Sequence, residues 1–381
     1  MTDNLHTRQR TGGPGRLDAA RGAAPVALAG VMAALIALGG CSSSDPAGPS
    51  VSETFLVDLS GAGDFVTIQE GLNAADNGDT VLVAPGTYSG NGNRNLEFYA
   101  NVVLKGTGTR DEVVIDCEGV GRGFRIVGRS PVIENLRVAN GDTVEGGGMY
   151  LEGASPTLMN VAFVDNAADY GGAVYCDESS PTVVDALFDG NSAAVQGGGM
   201  LSLNSSPSLS GTVFSGNTSS EYGGSGGGVV CIFSSPAFAQ CVFYRNSSDY
   251  GGAIYCGASS PSITSCTIVE NQGSHASALC FFFDSSPSID ETIVACNRPG
   301  EAYYCDDSDP FTTLSCVFDN GSENDLCGPH STSMLYEDPL FCDLESGDLT
   351  LRADSPCLPE NNQWEVQMGA FGQGCGAPGR R

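Results

Sequence analysis

The chain has 381 residues, of which 45 are Asp or Glu and 16 are Lys or Arg, so its formal net charge is −29. A surface this acidic repels nucleic acids and anionic lipids, which excludes DNA and RNA as partners. Glycine is abundant, with 52 residues, yet 41% of the chain is hydrophobic, and short Val, Ile and Phe runs indicate an ordered, β-rich core.

The first 40 residues have the pattern of a targeting segment. Arginines precede an apolar stretch at 25–38, PVALAGVMAALIAL, which is too short for a comfortable membrane span and matches the hydrophobic part of a signal peptide. It runs into Leu38-Gly39-Gly40-Cys41, which resembles the lipobox of bacterial lipoproteins. The resemblance implies that residues 1–40 are removed and that Cys41 becomes the lipidated first residue. The alternative is an ordinary signal peptide with a cysteine there by chance.

Residues 41–52 have the composition of a flexible tether, SSSDPAGPS at 42–50. The residue after the cysteine is Ser42. In bacterial lipoproteins, by this resemblance, an aspartate at that position would signal retention in the inner membrane. By the same resemblance, the protein is expected to be exported and held at the outer membrane through its N-terminal lipid.

Residues 53–130 are expected to form an N-terminal cap and the first coils of a repeat structure. Thr67 and Glu70 have the spacing of a helix capping box, and Ile68, Leu72 and Ala75 would share one face of the helix that follows. Such a short helix would cover the exposed core of the first coil.

A repeat of about 25 residues occupies 131–330. Proline recurs at 131, 156, 181, 207, 236, 261, 287 and 310, at intervals of 23 to 29 residues. From Pro156 onward the tenth residue after each proline is asparagine, and the residue three positions before each asparagine is apolar. The asparagines are Asn166, Asn191, Asn217, Asn246, Asn271, Asn297 and Asn320, and the first four apolar positions are Phe163, Phe188, Phe214 and Phe243.

A repeat of this length, with short apolar runs and no helical period, predicts a solenoid with about three parallel strands per coil. Coils would lie ~4.8 Å apart, so that equivalent side chains stack. The phenylalanines would then form an internal ladder. The asparagines would line one corner, where their tolerance of left-handed backbone is useful, and the Ser-Pro pairs would mark another.

Two repeats carry a more specific pattern. FVDN (163–166) with GGAV (171–174), and FYRN (243–246) with GGAI (251–254), resemble the repeat of polymorphic outer-membrane proteins, whereas the coils at 268 and 294 keep only the asparagine. This repeat belongs with the right-handed parallel β-helix, or pectate-lyase-like, superfamily. The resemblance implies an all-β, right-handed, single-stranded parallel β-helix with a short N-terminal capping helix.

Residues 331–381 are expected to close the solenoid. DPLFCDLESGDLTLRADSPC (338–357) and MGAFG (368–372) resemble a closing segment of bacterial β-helix proteins, and Trp364 would cover the open end.

The cysteines form two columns of the repeat. Cys231 and Cys256 lie five residues before a repeat proline, and Cys241 and Cys266 lie five residues after one. Neighbouring coils are close enough for Cys231–Cys256 and Cys241–Cys266 to be candidate disulfides. The alternative is a buried stack of free thiols that pack as small apolar groups.

No complete catalytic constellation is present in the sequence. Pectate-lyase-like enzymes, by resemblance, would need an acidic Ca²⁺ site and a basic residue. Asp306, Asp307 and Asp309 are weak candidates for a metal site, and Arg245 and Arg298 are candidate bases that nothing ties to them.

Two functional hypotheses follow. The first is a monomeric, lipid-anchored envelope protein without catalytic activity or required cofactor, which binds an extended polysaccharide or protein ligand or serves a structural role. The second is a Ca²⁺-assisted polysaccharide lyase or glycoside hydrolase on the same scaffold, which rests on analogy of fold alone.

Overall fold

The computed structural model describes residues 52–220, 222–321 and 326–377, mostly as short parallel strands that stack coil upon coil. The predicted signal peptide and Cys41 lie outside the described residues. Within them, three sheets run along the coils, and a small fourth sheet lies near the C-terminus.

The long sheet has 19 strands among the described residues and forms one bent wall of the coils. Its strands are Thr54–Val57, Thr80–Val83, Gly86–Ser89, Val103–Gly106, Val113–Asp116, Val132–Ala139, Thr157–Val164, Thr182–Val184, Leu187–Asp189, Ser208–Ser210, Val213–Ser215, Ala237–Ala239, Val242–Tyr244, Ser262–Thr264, Thr267–Val269, Ser288–Asp290, Ile293–Ala295, Phe311–Thr313 and Cys316–Phe318.

Two further parallel sheets complete the circumference of the coils in the described part of the chain. The nine-stranded sheet contains Leu96–Glu97, Phe124–Val127, Met149–Glu152, Val174–Asp177, Met200–Leu203, Val229–Ile232, Ile254–Gly257, Ala276–Phe282 and Glu301–Asp306. The short sheet contains Asp142–Glu145, Ala167–Tyr170, Ser192–Gln196 and Thr218–Ser219.

Three sheets run along the coils, as the expected three strands per coil require, but some coils contain four strands. The coil that begins at Pro181 has four strands, because its part of the long sheet is divided into Thr182–Val184 and Leu187–Asp189. The backbone between them turns through Asp185 at φ +52°. A left-handed residue interrupts the pleat of a strand, so one predicted strand becomes two.

The predicted phenylalanine ladder runs through the centre of the coils. Phe163, Phe188, Phe214 and Phe243 are all fully buried. Successive ring centroids are 5.2, 4.4 and 5.0 Å apart, and the last pair is almost parallel, at 2°. Burial of each ring contributes roughly 1.5–3 kcal/mol.

The asparagine column is a continuous hydrogen-bonded ladder. The backbone N–H and the Nδ2 of Asn166 both donate to Oδ1 of Asn191, each at 3.0 Å, and the pattern repeats from coil to coil. Nδ2 of Asn191 also donates to the carbonyl of Phe163 at 2.9 Å. Each side chain therefore satisfies polar groups that the corner would otherwise bury without partners.

One expectation about this corner is wrong. The left-handed residue is not the asparagine but the residue before it, as at Asp165, with φ +53°, and Arg245, with φ +55°. Asparagine is used here for its buried amide hydrogen bonds, and the change of direction occurs at its neighbour.

The Ser-Ser-Pro triplets form two parallel hydroxyl ladders. The first serine is buried, and the N–H of Ser179 donates to Oγ of Ser205 at 2.8 Å. The second serine is exposed, and the N–H of Ser180 donates to Oγ of Ser155 at 3.0 Å. The carbonyl of Pro181 accepts a hydrogen bond from the N–H of Ser208. Proline has no backbone N–H to donate, and it stands here at a corner, before the strand begins.

The glycine pair after the asparagine forms a tight turn. Gly171 has φ +61°, and a Cβ on Gly172 would lie 2.3 Å from the carbonyl oxygen of Gly198. Backbone of the adjacent coil therefore occupies the space that any side chain would need.

The predicted capping helix spans Ile68–Ala74 and begins with the expected box of Thr67 and Glu70. Ile68 and Leu72 are buried against the first coil. Among the described residues, no helix is both long and apolar enough to span a bilayer. The predicted fold class, an all-β parallel β-helix with an N-terminal capping helix, is confirmed.

The C-terminal segment covers the side of the coils more than their end. Its sheet consists of Phe341–Asp343, Asp348–Arg352 and Gln373–Cys375, and a 3-10 turn spans Pro359–Asn361. Leu349 packs against Val242 and Val269, on the outer surface of the long sheet. Trp364 belongs to the lateral cluster around Cys316, so its expected position over the open end is corrected.

The cysteine columns are present, but the structure has them as free thiols. Cys231 and Cys256 are register partners, and the N–H of Cys241 lies 3.4 Å from Sγ of Cys266. Side chains stacked on parallel strands keep the strand spacing of ~4.8 Å, longer than the ~3.5–4.5 Å between Cβ atoms that a disulfide takes. Among the described residues the disulfides are Cys305–Cys327 and Cys342–Cys375, neither of which was predicted.

Candidate ligand-binding face

The outer surface of the nine-stranded sheet is aromatic and apolar where a solvated sheet face is usually polar. In the strand Met149–Glu152, Met149 and Leu151 are buried inside the coil, so the alternation of a strand directs Tyr150 and Glu152 outward. The same alternation holds on the following coils.

The outward residues at the Tyr150 position form the tyrosine column. Its members are register partners on successive coils, namely Tyr150, Tyr175, Leu201, Val230, Tyr255, Cys280 and Tyr304. Six intervals of ~4.8 Å give the column a length of roughly 29 Å.

Ring contacts hold the two ends of the column in fixed orientations. The rings of Tyr150 and Tyr175 are stacked, with centroids 5.6 Å apart and an interplanar angle of 3°. Towards the C-terminal end, the ring centroid of Phe282 lies 5.6 Å from that of Tyr255 and 5.5 Å from that of Tyr304. Leu201, Val230 and Cys280 are buried, so the accessible rings of the column are Tyr150 at one end and Tyr255 and Tyr304 towards the other.

A second outward column runs beside the first, two residues further along each strand. It contains Glu152, Asp177, Leu203, Ile232, Gly257, Phe282 and Asp306. Carboxylates therefore flank the tyrosine column at both ends, and apolar groups flank its middle.

The phenols of this face hold their protons unusually strongly. Burial, with a smaller contribution from nearby carboxylates such as Glu145, raises the pKa of Tyr175 to about 12. Burial also raises the pKa of Tyr255 to about 12. Both hydroxyls therefore remain hydrogen-bond donors throughout the neutral and mildly alkaline range.

We expect the phenols of Tyr175 and Tyr255 to titrate near pH 12 in the folded chain. The measurement is the ultraviolet absorbance of tyrosinate as the pH is raised. Below the ordinary phenol pKa, ~10, folded and unfolded chains both hold these protons. Above it the unfolded chain loses them first, so the free energy of unfolding should fall as the pH rises from ~10 towards the folded values. The denatured chain is the control. Titration of all phenols near pH 10 in the folded chain would contradict the burial.

A small pocket opens at the rim of the face. It has a volume of about 160 Å³ and is lined by Gly223, Ser225, Tyr250, Tyr255 and Phe282. The ring of Tyr250 stacks on that of His275, with centroids 4.2 Å apart.

The neighbouring carboxylate of Asp249 fixes this rim. It accepts a hydrogen bond from the N–H of Gly223 at 2.8 Å and lies 3.2 Å from Nδ1 of His275. Three successive coils are thereby joined, which holds Tyr250 in place beside the pocket.

Sequence reasoning did not predict this face, although the signal was present. The repeats GGAVYC (171–176) and GGAIYC (251–256) each contain a tyrosine between two buried residues. In a strand that position points outward, so Tyr175 and Tyr255 could have been assigned to the outer side of the sheet.

The acidic residues proposed for a metal do not converge. Asp306, Asp307 and Asp309 are exposed at the turn after the strand Glu301–Asp306. Across residues 52–220, 222–321 and 326–377, no group of three or more His, Cys, Asp or Glu side chains is placed to hold a metal ion.

The two candidate basic residues share a groove at the asparagine corner. Arg245 and Arg298 line it with Glu270 and Gln272, and its volume is about 260 Å³. Arg245 pairs with Glu270 at 2.7 Å, and Arg298 pairs with Asp319. Both guanidinium groups are thus neutralised locally and lie away from the tyrosine column.

One family model matches the sequence, the Chlamydia polymorphic membrane protein repeat, over residues 240–257. This stretch includes FYRN and GGAI, two of the motifs on which the resemblance was based. A search of curated protein sequences finds no match to the chain.

Solved structures with similar architecture include pectate lyase Pel9A, with a TM-score of 0.60 and 13% identity over 86% of this chain and 98% of that chain. Pectin methylesterase from Aspergillus niger has a TM-score of 0.36 and 12% identity, over 79% of this chain and 94% of that chain. The catalytic unit of a GH87 α-1,3-glucanase from Streptomyces thermodiastaticus has a TM-score of 0.35 and 14% identity, over 76% and 68%. The coils thus have the parallel β-helix fold seen in pectate lyase Pel9A, and residues 240–257 match the repeat of a Chlamydia polymorphic membrane protein.

Proposed function

We propose that this protein is a lipid-anchored envelope protein that binds an extended polysaccharide along the tyrosine column without cleaving it. The observation that carries the proposal is the alignment of Tyr150, Tyr175, Tyr255 and Tyr304 on one outer face over seven coils. A ligand with a repeating structure suits a surface whose residues repeat along one axis.

The chemistry of the column supports a carbohydrate ligand. A tyrosine offers a rigid apolar ring and one polar hydroxyl, so it can pack against the C–H face of a sugar and hydrogen-bond its rim. The fold agrees with this, because pectate lyase Pel9A, which has the same architecture, is named for a polysaccharide.

Absence of cleavage is supported by the positions of the candidate catalytic groups. Arg245 and Arg298 are paired with carboxylates at the asparagine corner, and Asp307 and Asp309 lie in an exposed turn. Of the candidate groups, Asp306 alone flanks the tyrosine column. The alternative, a Ca²⁺-assisted lyase or glycoside hydrolase, is therefore kept as an outcome of the test.

We expect the double variant Tyr150→Ser, Tyr255→Ser to bind an extended polysaccharide at least about tenfold more weakly than the unaltered chain, equivalent to ~1.4 kcal/mol. The polysaccharide is first selected on a glycan array with the full chain, and affinity is then measured by gel retardation. Tyr336→Ser, which removes a half-exposed tyrosine of the C-terminal segment, is the matched control and should bind normally.

Equal binding by the double variant and the control, with both folded by circular dichroism, would place the ligand elsewhere. Shortening of the polysaccharide during incubation with Ca²⁺ would favour the enzymatic alternative.

The anchor is proposed from Cys41 and from the description of the matching repeat as that of a membrane protein. We expect Cys41→Ser to abolish incorporation of labelled fatty acid and to move the chain from the membrane fraction to the soluble fraction. Cys296→Ser is the control and should stay with the membrane. A Cys41→Ser chain that still carries the label would refute the anchor.

A further inference from the structure

The repeat region has almost no positive charge. Residues 131–330 contain 23 Asp and Glu but only three arginines and no lysine. All three arginines have a carboxylate partner, since Arg137 pairs with Asp111, Arg245 with Glu270 and Arg298 with Asp319. In the described part of this region, every lysine or arginine is therefore already neutralised.

Carboxylates accompany the rings of the tyrosine column itself. Tyr175 and Asp177 lie two residues apart on one strand and point outward together, as do Tyr304 and Asp306. Asp306 is also the register partner of Phe282, so its carboxylate lies beside a second aromatic ring. The column thus combines π-faces with negative charge.

A cation already occupies one position of this kind. The guanidinium groups of Arg122 and Arg125 lie over the ring of Tyr150, at 5.0 and 5.9 Å from its centroid. Arg125 is also 3.8 Å from a carboxylate oxygen of Glu97 and 3.8 Å from one of Glu152. The first ring of the column therefore holds a positive group between carboxylates.

Further along the column the same arrangement recurs without an internal cation. From Tyr175 to Tyr304, neither outward column contains a lysine or an arginine, and a ring with its carboxylate is kept at the two ends, in Tyr175 with Asp177 and in Tyr304 with Asp306. A cation over an aromatic ring is attracted by the ring's quadrupole, and a nearby carboxylate adds to the attraction.

We propose that the polysaccharide bound by the tyrosine column is one that carries free amines, a polymer of amino sugars in their protonated form. This inference rests on the proposed function and names its ligand class. The sugar rings pack on the partly exposed rings of Tyr150, Tyr255 and Tyr304, and the ammonium groups lie near Asp177 and Asp306. An acidic polysaccharide such as pectate is repelled by the field of the same face, although the fold is shared with a pectate lyase.

The test measures, by titration calorimetry, the affinity of the full chain for three oligosaccharides of equal length. They are oligomers of glucosamine, the same oligomers fully N-acetylated, and oligogalacturonate. We expect the amine form to bind at least about tenfold more tightly than the acetylated form at low salt. The difference should shrink as ionic strength rises, because salt screens exposed charges, and oligogalacturonate should not bind.

Variants separate the carboxylates from the rings. Asp177→Asn combined with Asp306→Asn should weaken binding of the amine form and leave the acetylated form unchanged. Asp165→Asn, an exposed aspartate at the asparagine corner, is the matched control and should alter neither.

Equal affinity for the amine and acetylated forms would overturn the amine preference and leave the proposed function in place. Tighter binding of oligogalacturonate would also overturn it. Binding of a lysine-rich peptide, but of none of the three sugars, would refute both this inference and the proposed polysaccharide. Failure of every glycan to bind would refute the proposed function itself.

Discussion

Phe188→Ala should lower the free energy of unfolding by about 3–5 kcal/mol, one of the two largest effects we expect from a single substitution. The ring of Phe188 is fully buried between Phe163 and Phe214, with centroids 5.2 and 4.4 Å away. The coils on either side are held by parallel ladders and cannot close the space that the ring leaves. The measurement is the midpoint of urea unfolding, followed by circular dichroism.

Phe233→Ala is the matched control for this substitution. Phe233 is 66% exposed at a turn with φ +50°, and alanine keeps the same strain because it also has a Cβ. Its effect should lie within about 0.5 kcal/mol. If both variants unfold at the same urea concentration, the phenylalanine ladder does not contribute as the stacked coils require.

Asn217→Ala should cost roughly 2–6 kcal/mol, because two buried backbone groups lose their partners. Oδ1 of Asn217 accepts from the N–H of Asn191 at 3.1 Å, and its Nδ2 donates to the carbonyl of Phe188 at 2.9 Å. Asn217 is fully buried between the coils above and below, so these groups are not exposed to bulk solvent. The same urea experiment measures the loss.

Asn73→Ala provides the comparison for the asparagine ladder. Asn73 is an exposed residue of the capping helix, and its replacement should change stability by no more than about 0.5 kcal/mol. A loss at Asn217 no larger than that at Asn73 would mean that the ladder is redundant.

The columns inside the coils could be predicted because each coil must present the same group at the same place. Residues equivalent to Phe163 and Asn166 recur along the chain at a nearly constant interval. That interval alone implies that the equivalent side chains stack at the strand spacing. The corner geometry could not be predicted in the same way. Asp165, Arg245 and Glu270 all have left-handed backbone, but they are different residue types, so the sequence gives no common signal for this conformation.

The remaining errors concern contacts between residues far apart in sequence. Cys305 continues the column of Cys231 and Cys256, whereas Cys327 follows the last repeat asparagine, so their pairing depends on the path of the chain after the repeats. The lateral position of the C-terminal segment depends on the apolar outer side chains of Val242 and Val269, which the repeat alone does not distinguish from solvated positions. The tyrosine column was missed because its members vary between Tyr, Leu, Val and Cys.

Oxidative footprinting of the full chain by hydroxyl radicals, read by mass spectrometry, tests the tyrosine column as the binding surface most directly. With the glucosamine oligomer bound, oxidation of Tyr150, Tyr255 and Tyr304 should fall, while Phe311 and Tyr336, exposed elsewhere, should be oxidised as before. Protection of Phe311 or Tyr336, with the three tyrosines of the column unprotected in a saturated complex, would contradict the account.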